Sequence, residues 1–304
     1  MISPRRARAL RPLLERLSTA LDRRARIAAD PVEFPRAFAD PADAEVAGLL
    51  AASLAYGRAD LFRPVVRRVM EVVGPSPARF ARSFAAAPDA SRFAAIAYRF
   101  NQPADLSALV AAAGEVLRRH GGLGERFRAL YLEAGGGPGA LRPALARFAA
   151  ELRGAPQVGP LLRGRGRRGL RHLLPDPAGP GASKRWNLYL RWMVRGPDGV
   201  DLGLWRGVPA SALVVPLDTH VHRVARALGL TARRDASWRT AEEITASLRL
   251  VDPDDPVRHD FALCHLGMSG RCPARRDPVC CAACPLGGAC PAGRRERAAR
   301  PEPG

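Results

Sequence analysis

The stretch Pro216-Leu-Asp-Thr-His-Val-His-Arg-Val-Ala-Arg-Ala-Leu-Gly-Leu230 carries a complete helix signature. Asp218 can accept backbone N–H bonds as an N-cap, Val221, Val224, Ala225 and Leu228 recur at helical spacing, and Gly229 supplies the stop. The same grammar extends outward in both directions. Asp43 is expected to cap a helix through Val46, Leu49, Leu50 and Leu54 that stops at Gly57. Further helices fit 59–73, 104–119, 124–133 and 139–152. Ser183 is placed as the cap of a helix from Lys184 to about Arg195, with Trp186, Tyr189, Leu190 and Met193 inside and Arg191 and Arg195 outside. Thr240-Ala-Glu-Glu243 has capping-box spacing, and Asp255-Pro256 opens a last helix through Phe261 to Gly267. Alternating strand patterns are scarce, so the expected fold class is all-α.

The chain has 304 residues, 47% of them hydrophobic and 25% charged, which suits a folded protein with a substantial core. No run of about 18 apolar residues is present, and the Arg-rich start lacks the apolar segment of a secretory signal. A cytoplasmic, nucleoid-associated monomer is expected, with no membrane partner. The formal charge is +19, from 48 basic and 29 acidic side chains, and a surplus of that size favours a polyanionic partner through counterion release, although a basic surface also serves acidic lipids or solubility. Of the 48 basic residues only Lys184 is a lysine. Arginine replaces lysine where charge alone matters, but it cannot act as a neutral amine nucleophile. The surroundings of Lys184 therefore matter.

Cysteine is concentrated at the C-terminal end. Cys272, Cys280, Cys281, Cys284 and Cys290 share a 19-residue window, with Cys264 upstream as an expected buried helix thiol. Such clustering without a signal peptide argues for a metal centre. Cys272, Cys281, Cys284 and Cys290 leave eight, two and five residues between successive thiols, and Cys280 is an alternative to Cys281. Four thiolates so spaced can hold a [4Fe–4S] cluster or, alternatively, one Zn ion.

These segments resemble the helix-hairpin-helix DNA glycosylase superfamily, in an uncharacterised bacterial branch of its endonuclease III-like members. The cysteine run has the last two gaps of that family's cluster loop and a longer first gap. Leu217-Asp-Thr-His-Val221 is similar to the segment that holds the family's essential aspartate. Leu173-Leu-Pro-Asp-Pro-Ala-Gly-Pro-Gly-Ala-Ser-Lys-Arg-Trp-Asn187 looks like its hairpin and Schiff-base lysine, with a longer, Pro-interrupted hairpin. The resemblance implies an N-glycosylase with AP-lyase activity in base excision repair, with Lys184 and Asp218 catalytic. It implies DNA contacts from Gly179, Gly181, Arg58, Arg185, Arg275 and Arg276, and a [4Fe–4S] cluster on the four cysteines. His220 is assigned a structural hydrogen bond and His222 no role. The alternative is a non-catalytic iron–sulfur DNA-binding protein. The domains expected are a helical lobe with hairpin (31–205), a second helical lobe with the cluster loop (1–30 plus 206–292), and a disordered tail (293–304).

Overall fold

The structure is a computed structural model that describes residues 1–162, 168–273, 277–291 and 293–294. The described residues are all-α, with two isolated bridges and no strands. Among the described residues no helix is long and apolar enough to cross a membrane. Two compact units divide the chain, one of Ile27–Gly179 and Leu188–Ala212, the other of Met1–Arg26, Pro180–Asn187 and the described residues from Leu213 onward. Of the expected 293–304 tail, residues 295–304 lie outside the described residues.

The larger unit is organised around two helices that are buried on all sides over most of their length. In Pro103–His120 every residue from Asp105 to Leu117 is buried, and in Pro41–Leu54 every residue from Ala44 to Leu54 is. Helices so buried belong inside a bundle. Pro77–Ala86 packs on the first of them, where Gly114 permits a contact no larger residue could make. A Cβ added there would lie 1.9 Å from the carbonyl oxygen of Ala81.

Buried charge in this unit is matched in detail. Glu45 is 8% exposed and accepts from the amides of Leu123 and Gly124 at 2.9 and 3.3 Å and from the Trp205 indole at 2.8 Å. It thereby satisfies the open N-terminus of helix Leu123–Glu133. Burial pushes its pKa up, and the bonds it accepts oppose that shift. Arg191 and Arg195, expected on the outside of their helix, are buried instead. Both pair with Asp201, at 3.2 and 2.9 Å, and Arg195 also meets Asp198 at 2.6 Å. The connection just after the helix folds back to supply these acids, which helical periodicity does not encode.

The smaller unit joins the N-terminal helix to the C-terminal third. Pro4–Thr19 starts on the Ser3 side chain, buries Leu10, Leu14 and Leu17, and packs on Asp260–Met268. The Arg11 guanidinium donates to the Val251 carbonyl, and Ser18 Oγ lies 2.8 Å from His259 Nδ1. Asp260–Met268 also packs against Thr219–Ala227. Their separation is set by Gly267, where an added Cβ would come within 2.8 Å of His220 Cβ.

Three caps differ from expectation. Asp40, not Asp43, caps Pro41–Leu54, while Asp43 turns its carboxylate to the Ala78 amide at 2.8 Å. Ser237 caps Trp238–Arg249, so the helix starts before the Thr240–Glu243 box. Asp255-Pro256 sits in a turn, and the helix proper begins at Asp260.

Candidate functional site

Lys184 is the first residue of helix Lys184–Val194. The residue before it, Ser183, has φ 49°, a left-handed conformation that a side-chain-bearing residue adopts at a cost. The approach to this turn is anchored by a bridge between Gly181 and Ser237 and by the Trp238 amide donating to Pro180 O at 3.3 Å. These contacts fix where Lys184 emerges, and its side chain remains 37% exposed.

Asp218 precedes Thr219–Ala227, and its two oxygens have separate partners. Oδ1 accepts from the amides of His220 and Val221 at 2.9 and 2.8 Å, so the cap read from sequence is present. Oδ2 faces outward from the cap and lies 3.6 Å from Lys184 Nζ. The Cys264 thiol donates to the same oxygen at 3.5 Å. Sequence reasoning took Cys264 for a buried helix thiol. It is half-buried and belongs to this cluster, and no local pattern links residues 46 positions apart.

A lysine amine, a carboxylate held by two backbone amides and a thiol thus meet at one oxygen. An amine beside a fixed carboxylate can attack an electrophilic carbon, and the carboxylate can stabilise positive charge developing there. His220 Nδ1 lies 3.4 Å from Arg223 Nη2, and His222 Nε2 lies 3.1 Å from the Arg233 carbonyl oxygen. Neither imidazole joins Lys184.

The Thr219–Ala227 helix borders along its length a cavity of about 800 Å³. Cys272, Cys281, Cys284 and Cys290 all line it, as do Arg223 and Arg226. The Arg223 guanidinium ties the loop to the helix, donating to Cys272 O at 2.9 Å and to Gly267 O at 2.6 Å. Cys290 Sγ approaches the Ala227 carbonyl oxygen at 3.5 Å. Burial raises the pKa of the Cys272 thiol, and the neighbouring Cys284, Cys290 and Cys281 raise it further against the opposing effect of Arg223. Burial also raises Cys284. Among the described residues no three His, Cys, Asp or Glu side chains close round a single ion.

Cys280 differs from its neighbour Cys281. Asp277 caps Pro278–Ala283 by accepting the Cys280 amide at 2.7 Å, and the Cys280 thiol bonds to the same carboxylate, which raises its pKa. Cys280 is not among the residues that line the cavity.

The remaining expected contacts are dispersed. Arg185 follows Lys184 and is half-buried. Arg275 and Arg276 lie outside the described residues. Arg58 belongs to the larger unit, is 79% exposed and pairs with Asp60 at 2.7 Å. Gly179, in that unit too, donates its amide to Asp176 O at 3.1 Å within a turn held by Arg142. Neither Gly179 nor Gly181 has a positive φ, and a Cβ at Gly181 would meet nothing within 4 Å.

A family model described as a protein of unknown function (DUF2400) matches residues 30–269. The chain belongs to this DUF2400 family. No curated protein and no solved structure is detectably similar to it. Membership of DUF2400 overturns the assignment to the helix-hairpin-helix glycosylase superfamily. The quoted segments are short, and local folding accounts for part of them: Asp218 is the residue its helix needs as a cap, and the 173–181 segment closes turns on Arg142 and Ser237. The DUF2400 match takes in Lys184, Asp218 and Cys264 and ends before the cysteine loop.

Proposed function

We propose that the chain removes a base from DNA and cleaves the strand at the resulting abasic sugar, with Lys184 as nucleophile and Asp218 as the stabilising carboxylate. The observation that carries this reading is the 3.6 Å approach of Lys184 Nζ to Asp218 Oδ2. Lys184 is the only lysine in a chain of +19 charge, and a polyanionic partner suits that charge.

In this mechanism the neutral amine attacks C1′ of the deoxyribose, and the base departs with the electron pair of the glycosidic bond. Asp218 Oδ2 opposes the positive charge that develops at C1′. Nitrogen gives one proton to the departing base and, as the sugar ring opens, a second to O4′, which leaves an imine. Removal of a C2′ proton then expels the 3′ phosphate, and water hydrolyses the imine to free Lys184.

This reading assigns a [4Fe–4S] cluster to the four cysteines, and what supports it is that Cys272, Cys281, Cys284 and Cys290 all line one cavity. They supply an all-thiolate donor set around a space of about 800 Å³. A zinc ion would draw four sulfurs to about 2.3 Å from one point, whereas a cubane spreads its ligands over separate corners. Such a cluster, bound by Cys272, Cys281, Cys284 and Cys290, would cross-link the loop and brace the end of the Asp218 helix.

A second reading, a DNA-binding protein without excision, draws on the same ion pair, since an ammonium paired with a carboxylate can be purely structural. Borohydride reduction in the presence of abasic-site duplex separates the two. A covalent protein–DNA adduct supports the enzyme; its absence from protein that binds the duplex supports the binder.

A further inference from the structure

In the larger unit the chain turns back on itself at Tyr98-Arg99-Phe100-Asn101, where Tyr98 and Asn101 exchange both backbone hydrogen bonds at 3.0 and 2.9 Å. Arg99 sits at the tip with φ 54°, and the turn leaves Phe100 53% exposed. An exposed phenylalanine is ordinary on a flexible loop, but this one is held in place. Its ring stacks on Tyr56 at 5.8 Å between centroids and meets His172 edge-on at 4.3 Å. Tyr56 is itself fixed, donating to Tyr98 O at 3.0 Å and lying 2.6 Å from Asn101 Oδ1, while Tyr98 returns a bond to Tyr56 O at 2.7 Å. Asn101, fully buried, donates to Gly169 O at 2.9 Å and so connects the turn to helix Arg168–Leu173.

That helix completes a cavity of about 580 Å³, lined by Phe100, Gln102, Asp105, Arg168, Arg171 and His172 among others. Arg168 and Arg171 are exposed, and Arg99 precedes Phe100 at the tip of the turn. The acid on the wall is occupied: Asp105 Oδ2 accepts the Gln102 amide at 2.8 Å. A preorganised aromatic face next to two exposed guanidiniums matches a ligand that is planar at one end and anionic at the other.

We propose that this cavity binds a nucleotide unit, with the base stacked on Phe100 and the phosphate held by Arg168 and Arg171. Stacking and phosphate contacts are both tolerant of sequence, so the site accepts any unpaired nucleotide of that chemistry. The ligand is either a nucleotide within a strand or a free nucleotide. This inference rests on the reading that the protein works on nucleic acid, but it concerns residues of the larger unit and none of those assigned to excision.

The test uses the full chain and a fluorescein-labelled single-stranded oligothymidylate of about eight nucleotides, followed by anisotropy, with free dTMP followed by calorimetry. Phe100→Ala is expected to weaken oligonucleotide binding about tenfold, whereas Phe100→Trp retains or strengthens it. Arg168→Gln with Arg171→Gln is expected to weaken binding and reduce the salt slope by about one. Circular dichroism melts check that the variants fold as wild type. Tight binding of dTMP, lost in Phe100→Ala, assigns the site to free nucleotides; weak dTMP binding with tight oligomer binding assigns it to a strand. Equal affinity of Phe100→Ala and wild type for the oligomer and for dTMP overturns this site alone. A wild-type protein that binds neither oligomer nor duplex overturns this site and the nucleic-acid reading together.

Discussion

Cys264 Sγ lies 3.5 Å from Asp218 Oδ2, the oxygen that Lys184 Nζ approaches at 3.6 Å. With Oδ1 committed to two backbone amides, Oδ2 is the oxygen left for chemistry, and the thiol donates to it beside the ammonium. Cys264 is therefore a positioning residue in the proposed reaction. Its helix packs on the Asp218 helix, so the contact also reports their register.

Cys264→Ala is expected to lower the single-turnover rate of adduct formation about fivefold, the worth of one hydrogen bond of about 1 kcal/mol, with DNA affinity unchanged. Cys264→Ser keeps a donor on the same carbon and is expected to recover most of the rate. If alanine and serine lose the same amount, the thiol acts by packing and the positioning role fails.

The cysteines can be ranked by their surroundings. Protein purified without oxygen is expected to be brown, with about four irons per chain. Cys281→Ser should lose most of the iron, because Cys281 lines the cavity with Cys272, Cys284 and Cys290. Cys280→Ser should retain it, because the Cys280 thiol is turned to Asp277. Colourless wild-type protein with one zinc per chain would refute the cluster, and iron loss in Cys280→Ser alone would reverse the ligand assignment.

Gly114→Ala is expected to destabilise the larger unit by about 2–3 kcal/mol through overpacking. The added methyl would collide with the backbone carbonyl of Ala81, and a backbone atom cannot rotate out of the way as a side chain can. Thermal melts followed by circular dichroism should show a lower Tm than wild type. An unchanged Tm would mean that the Pro77–Ala86 and Pro103–His120 helices do not pack this closely in solution.

What was legible in the sequence was local. The Asp218 cap, the Lys184 helix start and the apolar Pro41–Leu54 segment each depend on residues within a few positions of one another, and all three are present. Caps slipped where several Asp, Ser and Thr side chains compete, as Asp40 with Asp43 and Ser237 with Thr240, because capping depends on which residue leaves helical geometry first. Contacts closed from outside the helix itself were hidden. Asp201 inverts the expected exposure of Arg191 and Arg195, and Cys264 reaches Asp218 from another helix. The motif likeness to another superfamily had the same weakness, since short capped segments recur for local reasons.

Lys184→Arg decides the proposed function. Arginine preserves the charge, most of the reach and the pairing with Asp218, but it offers no neutral amine. If Lys184 only anchors Asp218 or a phosphate, the variant should behave as wild type, since arginine fills every other basic position in this chain. If Lys184 forms the imine, borohydride-trapped adducts should vanish while duplex affinity changes less than about threefold, roughly 0.6 kcal/mol. Asp218→Asn supplies the complementary arm. Asparagine still caps, so helix Thr219–Ala227 should persist, while loss of the negative charge slows base release by about a hundredfold or more. The two variants together separate anchoring from catalysis: a trapped adduct at wild-type rate in Lys184→Arg would end the nucleophile assignment, whatever Asp218→Asn does.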